Sequence, residues 1–137
     1  MRLILDTNIL ISALITVGGL ANRLWEAWRT TRFTLITSDE QFEEFRRVTR
    51  YPRLRGYIHP ADAGTMLNEL RDRAIVLSDL PAVEASSDPA DNFLLAMASV
   101  SQSDYLVTND RRGLLSLGHY GSTRIVTVQE ILVVLER

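Results

Sequence analysis

Short apolar runs alternate with stretches of helical period along the whole chain, and this alternation limits the fold more than any other feature. The runs lie at 2–5 (RLIL), 33–37 (FTLIT), 74–77 (AIVL), 104–108 (DYLVT) and 124–126 (RIV). Strands separated by helices are the pattern of parallel βαβ units, in which each helix carries the chain back across the sheet. The expected class is therefore α/β with a mainly parallel sheet of about five strands. With 137 residues the chain has the length of one domain, 1–137, and can bury a core without a staple.

The helical stretches carry their own start and stop signals. One covers 9–15. A second covers Leu20 to Arg29, where Leu20, Leu24 and Trp28 recur every four positions with Ala21 and Trp25 beside them. Ser38 and Gln41 have capping-box spacing and open a helix to about Arg50, ended before Pro52, with Phe42, Phe45 and Val48 as its apolar face. Pro60 starts another, which holds Met66, Leu67 and Leu70. In Asp88-Pro89-Ala90-Asp91 the first residue suits an N-cap, Pro89 the first helical position and Asp91 the third. Thr127-Val128-Gln129-Glu130 opens the last helix in the same way as Asp88 to Asp91. SDLPAVEASSD (78–88) is the longest polar connection and reads as a loop crossing the sheet edge.

Composition narrows the chemistry. The absence of cysteine excludes disulfides and thiolate metal sites and fits a reducing compartment. The start of the chain lacks a secretory leader pattern and no apolar run reaches about 18 residues. The expected location is the cytoplasm, with no membrane partner. All fifteen basic residues are Arg, which excludes every mechanism that needs a lysine. A net charge of -2 argues against strong nucleic-acid binding by overall charge. Yet Arg46, Arg47, Arg50, Arg53 and Arg55 crowd into one short segment, interleaved with Tyr51 and Tyr57. Guanidinium groups bind phosphates, and Arg and Tyr stack on unpaired bases. Arg50, Arg53 and Arg55 are therefore candidate RNA contacts. An ordinary solvated helix end, its Arg complementing the helix dipole, explains them equally well.

In a parallel sheet the carboxyl ends of the strands share one edge, where ligands bind. Asp6 follows the first strand directly, between two apolar segments, where an ionised carboxylate is costly unless compensated. Asp110 follows strand 104–108, and Asp91 opens a helix whose next strand returns to the same edge. Glu44 lies about 40° from Val48 on the helical wheel, at the border of the apolar face, with Glu40 and Glu43 turned further outward. Each acid alone has a plain structural reading as a cap, turn or surface residue. Together they repel: two carboxylates 4 Å apart cost about 4 kcal/mol at an effective dielectric near 20. A hard divalent cation, Mg²⁺ or Mn²⁺, removes that repulsion through oxygen ligands. Such an ion also activates water against a phosphodiester.

The order DTN after strand one, EEFRRV in a helix, DPADN opening a helix and LVTND after a strand resembles the PIN-domain nucleases. The likeness runs from RLILDTNILISAL to IVTVQEILVVL. It implies a three-layer α/β/α sandwich and a metal-dependent ribonuclease. It also implies Asp6, Glu44, Asp91 and Asp110 as catalytic acids and metal ligands for Mg²⁺ or Mn²⁺, with Glu40 or Glu43 as alternatives to Glu44. Thr108 matches the hydroxyl residue two positions before the last acid, and Asn8 and Asn92 match polar residues lining the site. Many small members are VapC-like toxins of bacterial toxin–antitoxin pairs. The resemblance thus implies RNA as substrate and a cognate antitoxin as partner, with a second copy of the chain as a further candidate. Gly113, in RRGLLSL, departs from the family habit of an acid or a large apolar residue there.

Other classes fit less well. A phosphotransfer receiver needs a Lys after its last strand. A dehalogenase-type phosphatase needs a second Asp where Asn8 stands, and also a Lys. Neither GxGxxG nor GxxxxGK[ST] occurs, which removes nucleotide-binding motifs of those kinds. The remaining alternative is a PIN-like module that binds RNA or protein without cutting. Trp25 and Trp28 lie one helical turn apart; one is expected in the core, and an exposed partner would be an interface anchor.

Overall fold

Successive side chains on a strand point to opposite faces of the sheet, so a strand apolar at every position must be covered on both sides. In the computed structural model, which describes residues 1–137, strand β1 (Arg2–Leu5) sends Leu3 and Leu5 to one core and Ile4 to another. Strand β2 (Thr34–Ser38) divides Leu35 from Ile36 in the same way. β4 (Tyr105–Val107) and β6 (Thr123–Val126) repeat the pattern with Val107 against Leu106 and Val126 against Ile125. The larger core takes side chains from helices α1 (Thr7–Ile15), α2 (Leu20–Arg29), α3 (Asp39–Thr49), α4 (Pro60–Arg73) and α6 (Val128–Leu135). The smaller takes Leu94, Leu95, Met97 and Ala98 of α5 (Asn92–Ser101) and Leu114 of a short 3-10 turn (Leu114–Leu117). This is a three-layer α/β/α sandwich.

The sheet order is β3-β2-β1-β4-β6-β5, with β3 (Ile75–Leu77) at one edge and β5 (His119–Tyr120) at the other. Every pair is parallel except β5 with β6. The sixth strand, β5, was not expected. It has two residues and no apolar alternation, and exists because Gly121, at φ 58, turns the chain back onto β6.

The helix signals hold except at three starts: α1 begins at Thr7 with Asp6 as its N-cap rather than at residue 9, α3 has only half of its capping box, and a 3-10 turn precedes α5. Thr127 and Glu130 form the full reciprocal capping box. Ser38 caps α3 by accepting from the Gln41 N–H at 3.2 Å, but the Gln41 side chain does not reach back. It is buried instead, accepting from the Thr37 hydroxyl (2.7 Å) and donating to the Leu5 carbonyl (2.7 Å). An unpaired carbonyl there would cost about 1–3 kcal/mol, so Gln41 ties α3 to the end of β1. Both tryptophans are in the core, their rings 4.8 Å apart, so neither is an exposed anchor. No single helix is long and apolar enough to cross a membrane.

Candidate active site

β1 and β4 lie side by side, and this adjacency builds the centre of the site. The Asp6 N–H donates to the Val107 carbonyl at 2.9 Å, which extends the β1–β4 ladder by one residue and sets Asp6 at the carboxyl edge. Its side chain is buried, accepting from the Thr108 hydroxyl (2.8 Å) and from the Asn8 N–H (3.4 Å). Thr108 in turn accepts from the Asp110 N–H at 3.1 Å. Thr108 is thus a fully buried relay that positions two acids at once. Burial raises the Asp6 carboxyl above its usual range, opposed by the Thr108 and Asn8 hydrogen bonds and reinforced by Asp110.

Asp91 arrives by a different route. Asp88 caps a 3-10 turn (Pro89–Asp91) by accepting from the Ala90 N–H, and α5 begins only after it. The expected single helix therefore starts as a tighter turn. Asp91 then stands at the α5 N-cap without its side chain capping the helix. Its carboxylate remains available, and burial together with Asp6, Asp88, Asp110 and Glu44 pushes it up to about 7. Asp88, expected to be only a cap, is also a charge that Asp91 and Glu44 feel.

Glu44 is the α3 acid that turns inward, while Glu43 is exposed and Glu40 half-buried. Burial raises the Glu44 carboxyl, the Thr7 hydroxyl opposes this, and Asp6 adds to it. Arg47, one turn further along α3, lies 3.8 Å from Glu44 and is the one cation paired with any of these acids.

Asp110 is held by its own turn. Its Oδ1 accepts from the Gly113 N–H at 3.1 Å. A Cβ at Gly113 would run into the Asp110 carboxylate. Gly113 thus departs from the family habit because the carboxylate takes the space of a side chain.

The remaining candidates fall in different places. Asn8 is exposed beside Asp6. The Asn92 amide oxygen accepts from Ala85 N–H (3.2 Å) and Ser86 N–H (2.9 Å), so it pins the 78–88 loop rather than facing open space. Arg50 and Arg55 line a groove between α3 and α4, whereas Arg53 lies 5.5 Å over the Tyr51 ring. At about 100° per residue, Arg50 is about 120° around α3 from Glu44, turned off the face that carries the acids. The arginine run is therefore not one surface. Sequence reasoning missed Gln41 and Arg47; helical spacing, three from Ser38 and three from Glu44, was the available signal.

The acids are near enough to shift one another, but no three of them form a ready-made metal cage. The donor set is all carboxylate and carries an excess of negative charge, which suits a hard divalent cation and no softer one.

The fold and this cluster define an α/β/α protein with an acidic site at the carboxyl edge of its sheet. Residues 2–112, from β1 through the turn that holds Asp110, match the profile of the PIN domain. The chain belongs to the PIN-domain family, and its general activity is that of a nuclease, a hydrolase of nucleic acid. No curated protein matches it.

Proposed function

We propose that the chain is a metal-dependent endoribonuclease and the toxin of a bacterial toxin–antitoxin pair, acting in the cytoplasm. The observation that carries the enzymatic part is the gathering of Asp6, Glu44, Asp91 and Asp110 around one strand edge, with their charges uncompensated except by Arg47. Mg²⁺ or Mn²⁺ would be held by Asp6 and Asp91, with Glu44 and Asp110 completing the shell directly or through water, as Mg²⁺ commonly keeps several waters. The ion would supply charge neutralisation at the phosphodiester and a water made acidic enough to attack. Thr108 keeps Asp6 and Asp110 in place, and Asn8 offers a polar group at the rim. Arg53, stacked on Tyr51, suits an RNA phosphate.

The toxin role rests on the resemblance to VapC-like members and on an acidic site that a cationic partner segment would cover. A cognate antitoxin supplying an arginine suits that charge; a second copy of the chain is the other partner considered. The test is incubation of the protein with single-stranded and structured RNA in Mg²⁺, Mn²⁺ or EDTA, beside Asp6→Asn. Cleavage that needs the ion and is lost in the variant is expected. Cleavage that survives EDTA overturns the metal dependence, and no cleavage at all overturns the reading in favour of a non-cutting module. Induced expression with pull-down tests the partner separately: growth arrest by the wild type alone and a co-purified neighbour protein are expected.

A further inference from the structure

On the side of α3 turned away from the acids, a groove of about 540 Å³ runs between α3 and α4. Its floor is formed by the buried side chains Phe45, Ile58 and Leu67, and Arg46, Arg50 and Arg55 stand around it. None of these three guanidinium groups makes an ion pair within the chain, and no acid lines the groove. Three unpaired cations around apolar surface suit an anion with an apolar body. Guanidinium forks match a phosphate, whose several oxygens can engage more than one of them; a single carboxylate satisfies fewer.

Gly64 is an independent observation. It lies inside α4 on the wall of this groove, where glycine weakens a helix, and nothing stands within 4 Å of where its Cβ would be. No neighbour in the chain requires it. What glycine provides there is a flat strip of helix backbone open to close approach. The volume falls within the usual range for a single small ligand, about 300–1,000 Å³.

We propose that the α3–α4 groove binds a nucleotide, its phosphate among Arg46, Arg50 and Arg55 and its base laid over Gly64 and the apolar floor. The nucleotide has two sources: a free mononucleotide, or an unpaired nucleotide of an RNA strand. The second rests on the nuclease reading above; the first does not.

Binding is measured by calorimetry in EDTA, which prevents metal-dependent cleavage. The probes are the four ribonucleoside 5′-monophosphates, the matching nucleosides, an unstructured ten-nucleotide RNA and an amphipathic Leu/Glu peptide. The variants are Gly64→Leu, which fills the groove with a better helix former, and Arg50→Ala with Arg55→Ala. Binding of a monophosphate but not its nucleoside, weakened about tenfold or more in both variants, establishes a free-nucleotide site. Binding of the RNA alone, weakened to the same extent in both variants, establishes a strand site. Binding that both variants leave unchanged, no binding, or binding of the peptide alone overturns the proposal. Mn²⁺-dependent cleavage is assayed on the same proteins. Cleavage without groove binding removes this inference and leaves the nuclease reading; groove binding without cleavage does the reverse.

Discussion

Helix α3 separates two regions of like charge that are built in opposite ways. On one side Glu44 joins Asp6, Asp91 and Asp110, acids seated on strand ends and helix starts that backbone hydrogen bonds and Gly113 hold in position. On the other side Arg46, Arg50 and Arg55 stand on long side chains around an apolar groove. Repulsion among long, solvated side chains relaxes by rotation. Repulsion among short, fixed ones cannot, and it adds to burial, the larger cause, in raising their proton affinity. Like charges held in place therefore mark the stronger demand for a compensating ligand.

The largest effect should come from removing charge on the rigid side. Asp6→Asn and Asp91→Asn should each lower metal-dependent RNA cleavage by about 1,000-fold, measured at saturating Mn²⁺. Without metal, Asp6→Asn should melt no lower than the wild type, because a destabilising charge has gone; a clearly lower melting temperature would mean that Asp6 is a structural residue. Next comes Gly113→Ala. Its methyl must displace the Asp110 carboxylate, so it should cost about 1–3 kcal/mol in urea unfolding and reduce cleavage as well.

The third prediction concerns pH. The Asp91 carboxyl is raised from 3.8 to about 7, so between these values the folded chain binds protons that the unfolded chain has released. Stability of the metal-free protein should therefore fall as pH rises from about 4 to 7, and level off above. Asp91 is partly open to water, and screening reduces the loss to about 2 kcal/mol. Urea unfolding at pH 5 and 8 measures it; Asp91→Asn or saturating Mn²⁺ should flatten the slope. The smallest effect lies on the flexible side: Gly64→Ala should stabilise the chain by about 0.5–1 kcal/mol, since its Cβ meets nothing and α4 gains a better helix former.

The same contrast explains what could be read in the sequence. β1, β2, β4 and β6 were legible because each carries adjacent apolar residues that divide between two buried cores. β5 was not, because its two residues are held by a turn and a neighbour rather than by their own pattern. The acids could be assigned to one edge because strand ends and helix starts are local signals. Their supports were less legible: Gln41 acts across 36 residues, Thr108, named only by the resemblance, acts on Asp6 across 102, and the space at Gly113 is taken by another residue's side chain. The arginine run splits, since neighbours in sequence on a helix point in different directions: Arg46, Arg50 and Arg55 reach the groove, Arg47 pairs with Glu44 and Arg53 lies over Tyr51.

The hydrogen bond from Thr108 to Asp6 has a consequence for the order in which the protein comes into being. It joins residues 102 positions apart, and the β1–β4 pairing beneath it has the same span. Contacts this distant form late, after the loop between them has been closed. A chain still on the ribosome can own Asp6, α3 and Glu44, yet has nothing to set them against until β4 has emerged and docked. The acidic centre needs both halves, so a growing or truncated chain lacking β4 should have no assembled site.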